Sequence, residues 1–89
     1  MIYKLYSIKD KLMNFTGPLA IQDEKVAIRW FEGECKKKQQ IDFTSSKYYD
    51  LYEVGTFDPE KGTVIGWQIS ELKLIKEGAE FDEQKDEGR

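Results

Sequence analysis

Histidine is absent from the 89 residues, cysteine occurs once, at Cys35, and proline only twice. Without histidine the commonest side chain that changes protonation near neutral pH is missing, and no ordinary zinc, haem or iron–sulfur site can be built. A single cysteine cannot close an internal disulfide and fits a reducing compartment. Neither nucleotide fingerprint, G-x-G-x-x-G or the G-K-[ST] ending of a P-loop, occurs. No stretch approaches the ~18 apolar residues of a membrane span, and Met1 to Tyr6 alternates in character where a signal peptide would be continuously apolar. These absences point to a non-catalytic, cofactor-free and metal-free protein of the cytosol that does not enter a membrane. Carboxylate pairs such as Glu32 and Glu34, or Asp58 and Glu60, fall on exposed helix or turn positions.

Size sets the next bound. A chain of 89 residues makes one domain, and a core that small supplies only a few kcal/mol of net stability, so a helper is expected. With disulfide and metal excluded, self-association remains, and a homodimer is the expectation. The net charge of -3 is unevenly placed: up to Glu77 there are 12 Lys/Arg and 12 Asp/Glu, and from Gly78 onward 2 and 5. A balanced body with an acidic end lacks the basic footprint of a duplex-DNA binder.

Hydrophobic periodicity orders the elements. Ile2 to Ile8 reads as a strand with apolar groups on both faces, which suits a central strand covered on one side by a helix and on the other by a partner or a shallow second layer. Asn14 to Pro18 reads as a turn. Asp23 is an N-cap for a helix running to about Lys37, with Val26, Ala27, Trp30, Phe31 and Cys35 inward and Lys25, Arg29, Glu32 and Lys36 outward. Lys36-Lys37-Lys38 would then sit at the helix C-terminus, where the dipole favours cations. Gln39 to Lys47 is a polar connection. Tyr48 to Phe57 reads as a second strand, and Phe57-Asp58-Pro59-Glu60-Lys61-Gly62 as a bulged hairpin turn returning through Thr63 to Ile69. Leu72, Leu74 and Ile75 suggest a short edge strand. The predicted architecture is a single α+β domain over residues 1–77, one helix packed on a small, mainly antiparallel sheet of three to five strands, with a disordered acidic tail over 78–89.

Aromatic content is high for the length, with five Tyr, five Phe and two Trp, several beside cations. Rings next to lysines on an exposed sheet can stack unpaired bases, whereas the same rings in a small domain also serve as core. The candidate strip places Tyr3, Tyr48, Tyr49 and Tyr52 as stacking residues and Arg29, Lys36, Lys37, Lys38 and Lys47 as phosphate contacts. Cys35, on the inward helix face, reads as core.

Three blocks then carry a resemblance: Tyr6-Ser7-Ile8-Lys9-Asp10-Lys11, Val26-Ala27-Ile28-Arg29-Trp30-Phe31, and Tyr49 to Asp58 with Gly62 shortly after. In that order they resemble the small nonstructural protein of gokushovirus-type microviruses, single-stranded DNA bacteriophages. The resemblance covers Tyr3 to about Gly62 and implies a protein of the infected host cytoplasm acting in single-stranded DNA synthesis or packaging. The leading expectation is sequence-nonspecific binding of single-stranded DNA, with the acidic tail as intramolecular competitor or docking peptide. The alternative is a small factor that docks onto a phage replication, capsid or host protein.

Overall fold

Apolar alternation and one capped helix build two layers in the computed structural model, which describes residues 1–81. The elements are β1 (Tyr3–Asp10), β2 (Leu19–Ile21), α1 (Glu24–Asp42), β3 (Tyr49–Asp58), β4 (Thr63–Gly66) and β5 (Lys73–Glu77). They form an α+β fold: one main helix against an open antiparallel sheet of five strands. The sheet runs β2-β1-β3-β4, and β5 shares with β4 the side of β3 that β1 leaves free. No helix among the described residues is long and apolar enough to cross a membrane.

Asp23 starts the helix as its residue type predicts. Its backbone is extended, and its side chain accepts a hydrogen bond from the Lys25 amide at 2.8 Å, satisfying one of the amides that a helix start leaves without a partner. Asp23→Ala is expected to cost about 0.5–2 kcal/mol, read as a lowered urea midpoint at unchanged slope. The helix passes the expected stop at Lys37 and ends only after Asp42. There Phe43 adopts a left-handed backbone, φ 57°, and its amide bonds to the Gln39 and Lys38 carbonyls. Gln39 and Gln40 propagate a helix nearly as well as lysine, so nothing ends it earlier. Lys36-Lys37-Lys38 therefore lies inside the helix, and the last turn holds no cation.

Ala27, Phe31 and Cys35, spaced by four, are the buried stripe of α1. They close against Tyr6 and Ile8 of β1 and Tyr49 and Leu51 of β3, with Ile21, Ile28, Trp30, Tyr48, Ile75 and Phe81 half-buried around them. Val26, expected inward, is 46 % exposed, because one residue before Ala27 lies about 100° round the helix from a stripe this narrow. Burial raises the Tyr6 hydroxyl above its usual pKa, helped by the nearby carboxylates of Glu24, Glu53 and Asp23.

The chain stays packed beyond Glu77. Gly78 is buried and its amide bonds to the Tyr49 carbonyl at 2.8 Å, while the Phe81 ring lies 5.5 Å from that of Phe31. The body thus reaches Phe81, four residues into the expected tail, because two residues in that stretch pack on the core. The remainder of that tail, 82–89, lies outside the described residues.

At the hairpin, the Asp58 side chain accepts from the Glu60 amide at 2.9 Å, the Gly62 amide donates to the Asp58 carbonyl, and Gly62 takes φ 70°. A left-handed residue is needed there, and glycine meets it without a Cβ clash. The returning strand ends at Gly66, short of the expected Ile69. The Trp67 amide still bonds to the Val54 carbonyl at 2.7 Å, and its indole N–H donates to the buried Glu53 carboxylate at 3.2 Å, where Lys4 also binds at 3.4 Å.

Candidate nucleic-acid interface

Strand register decides which side chains share a face. Directly opposed residues of an antiparallel pair point to the same side, and β1 presents Tyr3, Leu5, Ser7 and Lys9 away from the helix. Opposite them on β3 stand Phe57, Gly55, Tyr52 and Asp50. The count is not a strict alternation because Val54 is an extra residue: Leu5 faces Gly55 while Tyr6 faces Glu53. That bulge returns Phe57 to the side of Tyr52.

The turn after β1 supplies a further ring. Thr16 bonds its amide to the Ile8 carbonyl at 2.9 Å, its hydroxyl accepts from the Ile8 amide at 3.1 Å, and its carbonyl accepts from the Ser7 hydroxyl at 2.7 Å. Pinned in this way, Phe15 packs edge-on against Tyr52 at 5.6 Å between centroids, and the Lys9 ammonium stands 5.6 Å from its ring. That is within cation–π range. Beside these lies an apolar hollow of about 230 Å³ lined by Ser7, Phe15, Thr16, Pro18, Val54 and Leu72. At the far end of the face Tyr3, Phe57 and Val64 lie in one row across three strands. At the near end Asp50 is buried, 3.6 Å from Lys11, with its second carboxylate oxygen lacking a partner among the described residues.

The strip drawn from the sequence does not assemble as one surface. Tyr49 is 8 % exposed and belongs to the core, where β1 and the helix cover it. Tyr48 is half-buried against that core, with Lys47 exposed and its ammonium 5.5 Å from the Tyr48 ring. Arg29, Lys36, Lys37 and Lys38 are exposed on the helix, in the other layer from Tyr3 and Tyr52. The lysine run is also internally paired: Lys36 with Glu32 at 3.4 Å, Lys37 with Glu34 at 3.0 Å, Lys38 with Asp42 at 3.8 Å. Only Tyr3 and Tyr52 of the nine reach the open sheet face. The structure adds Phe15, Phe57 and Lys9 there. Alternation from Tyr3 through Leu5 and Ser7 puts Lys9 on this face, whereas Phe15 sits in a turn whose path no local pattern foretells.

What the face can do follows from its parts. Half-exposed rings in a pinned frame accept a planar group with little ordering cost, and Lys9 supplies positive charge at one end. Among the described residues no three His, Cys, Asp or Glu side chains gather as a metal site.

No curated protein and no solved structure matches this chain. Residues 3–81, which span both layers and every ring of the open face, match the model of the family described as Phage ORF5 protein, and the chain belongs to that bacteriophage family.

Proposed function

We propose that this phage protein holds single-stranded DNA without reading its sequence, on the sheet face opposite the helix. The reading places it as a non-catalytic, nonstructural protein of a gokushovirus-type microvirus, serving single-stranded DNA synthesis or packaging in the host cytoplasm. The observation that carries it is the cluster of Lys9, Phe15 and Tyr52, in line with Tyr3 and Phe57 on one face. Bases stack on such rings at about 1–3 kcal/mol each, and a nearby ammonium meets the phosphate.

Fluorescence anisotropy with a labelled oligo-dT strand tests it. Wild type is expected to bind with an affinity that falls as salt rises, by a shallow slope because few cations take part. Tyr52→Ala should weaken binding roughly 5- to 150-fold, the equivalent of one lost stacked base. Replacing Lys36, Lys37 and Lys38 together by alanine should leave it within about twofold, since those cations lie in the other layer. Absence of salt-sensitive binding at micromolar protein would sink the reading.

Docking onto a phage or host replication, capsid or packaging protein is a second reading, favoured by the even charge of the body and the ion-paired lysine run. Pull-down with and without nuclease separates the two: partners retained after nuclease support docking, and partners lost with it support DNA.

A further inference from the structure

Among the described residues the outer side of β4 is a short sheet edge that carries neither charge nor proline. Soluble proteins guard edge strands with lysine, proline, bulges or extreme shortness, because bare N–H and C=O groups invite another strand. β5, on the same side of β3, carries Lys73, Lys76 and Glu77 within five residues. β2, at the opposite edge, is three residues long and follows Pro18. β4 reads Thr63-Val64-Ile65-Gly66, uncharged and without proline, and all four residues are exposed, Val64 by 62 % and Ile65 by 60 %. The Met1 amino group lies 4.0 Å from Glu60, so the exposed Met1 starts beside the same hairpin.

We propose that β4 pairs antiparallel with β4 of a second copy, joining two sheets into one across a two-fold axis. The occupant is a second copy because the edge is self-complementary in charge. Uncharged strands meet without like charges opposed, whereas β5 against its own copy would bring lysines and carboxylates into the seam. A two-fold perpendicular to the sheet keeps each face on its own side. Centred on Val64, it opposes Val64 to its twin and Thr63 to Ile65 of the second copy. Centring on Ile65 instead would set Val64 against Gly66, which offers no side chain. With the axis at Val64 the row Tyr3–Phe57–Val64 continues into its mirror sequence, forming one apolar band across both copies. Four strand residues alone fall short of the roughly 800 Å² per partner of a stable interface, so side chains beside the hairpin, the exposed Met1 among them, must add to the contact. A core with eight buried apolar residues among those described is one that gains from such help. The pairing is independent of what the open face binds.

Light scattering coupled to size exclusion, on the full chain, is the test. Wild type is expected at twice its 10.5 kDa, and Val64→Lys at the monomer mass with an unchanged far-UV spectrum, since that side chain already faces water. A cysteine at the two-fold gives a second readout: V64C should form a disulfide-linked dimer on mild oxidation, its Cα atoms being roughly 5 Å apart. I65C should not, because one step off the axis separates the pair by roughly 8 Å. A monomeric wild type at high micromolar concentration, or a dimer that survives Val64→Lys and fails to cross-link at position 64, overturns the proposal.

Discussion

Phe31→Ala is expected to remove a large part of the domain's stability, about 3–5 kcal/mol. The ring is fully buried at the centre of the helix stripe, between Ala27 and Cys35 on its own helix and the β1 and β3 side chains below. It also meets Phe81, whose ring lies 5.5 Å away. Emptying such a site removes both the transfer free energy and the contacts around the cavity, about 3–5 kcal/mol for phenylalanine. Domains are stable by roughly 0.05–0.15 kcal/mol per residue, so the loss is a large fraction of the margin of a chain of 89 residues. Equilibrium urea unfolding followed by tryptophan fluorescence measures it. A loss below about 1 kcal/mol, typical of a surface change, would mean that the helix does not seat on the sheet as described.

Gly78→Val should be nearly as damaging, for a different reason. A Cβ at this position would run into the backbone carbonyl oxygens of Ser46 and Tyr49, neither of which can swing aside as a side chain would. The hydrogen bond from the Gly78 amide to Tyr49 would be lost with the displacement, and Phe81, three residues on, would lose its seat. Overpacking of this kind costs at least about 1–3 kcal/mol. Gly33→Ala provides the control of opposite sign. Its Cβ meets nothing within 4 Å on the exposed side of α1, and alanine in a helix interior gains about 0.5–1 kcal/mol over glycine. Thermal unfolding of the two variants should move in opposite directions. Equal, small shifts would show that Gly78 belongs to a loose tail.

That contrast marks where local pattern loses its reach. Composition from Gly78 onward is acidic and polar, which favours a solvated tail, yet one glycine and one phenylalanine in it are enough to extend the body to Phe81. The amide of Gly78 and the ring of Phe81 find partners at Tyr49 and Phe31, residues distant in sequence. Likewise Lys36-Lys37-Lys38 looked like a helix end and a phosphate clamp. Its ion pairs with Glu32, Glu34 and Asp42 come from helical spacing, and the last of them requires the helix to continue to Asp42.

Short-range signals were sound where the physics is short-range. Asp23 as N-cap, Gly62 at the left-handed corner, the inward stripe of Ala27, Phe31 and Cys35, and the strand character of Tyr3–Asp10 and Tyr49–Asp58 each depend on neighbours within a few residues, so the amino-acid order determined them, and with them the α+β class. Which tyrosine faces water was a different matter. Tyr49 and Tyr52 are three apart on one strand and stand on opposite faces; the helix falls on the side of Tyr49, so one ring became core and the other a platform. The bulge at Val54, the turn that carries Phe15 to Tyr52, and the bare edge of β4 all arise from strand pairing. Pairing is a long-range choice made by burial of the whole sheet, and only the tertiary structure decides it.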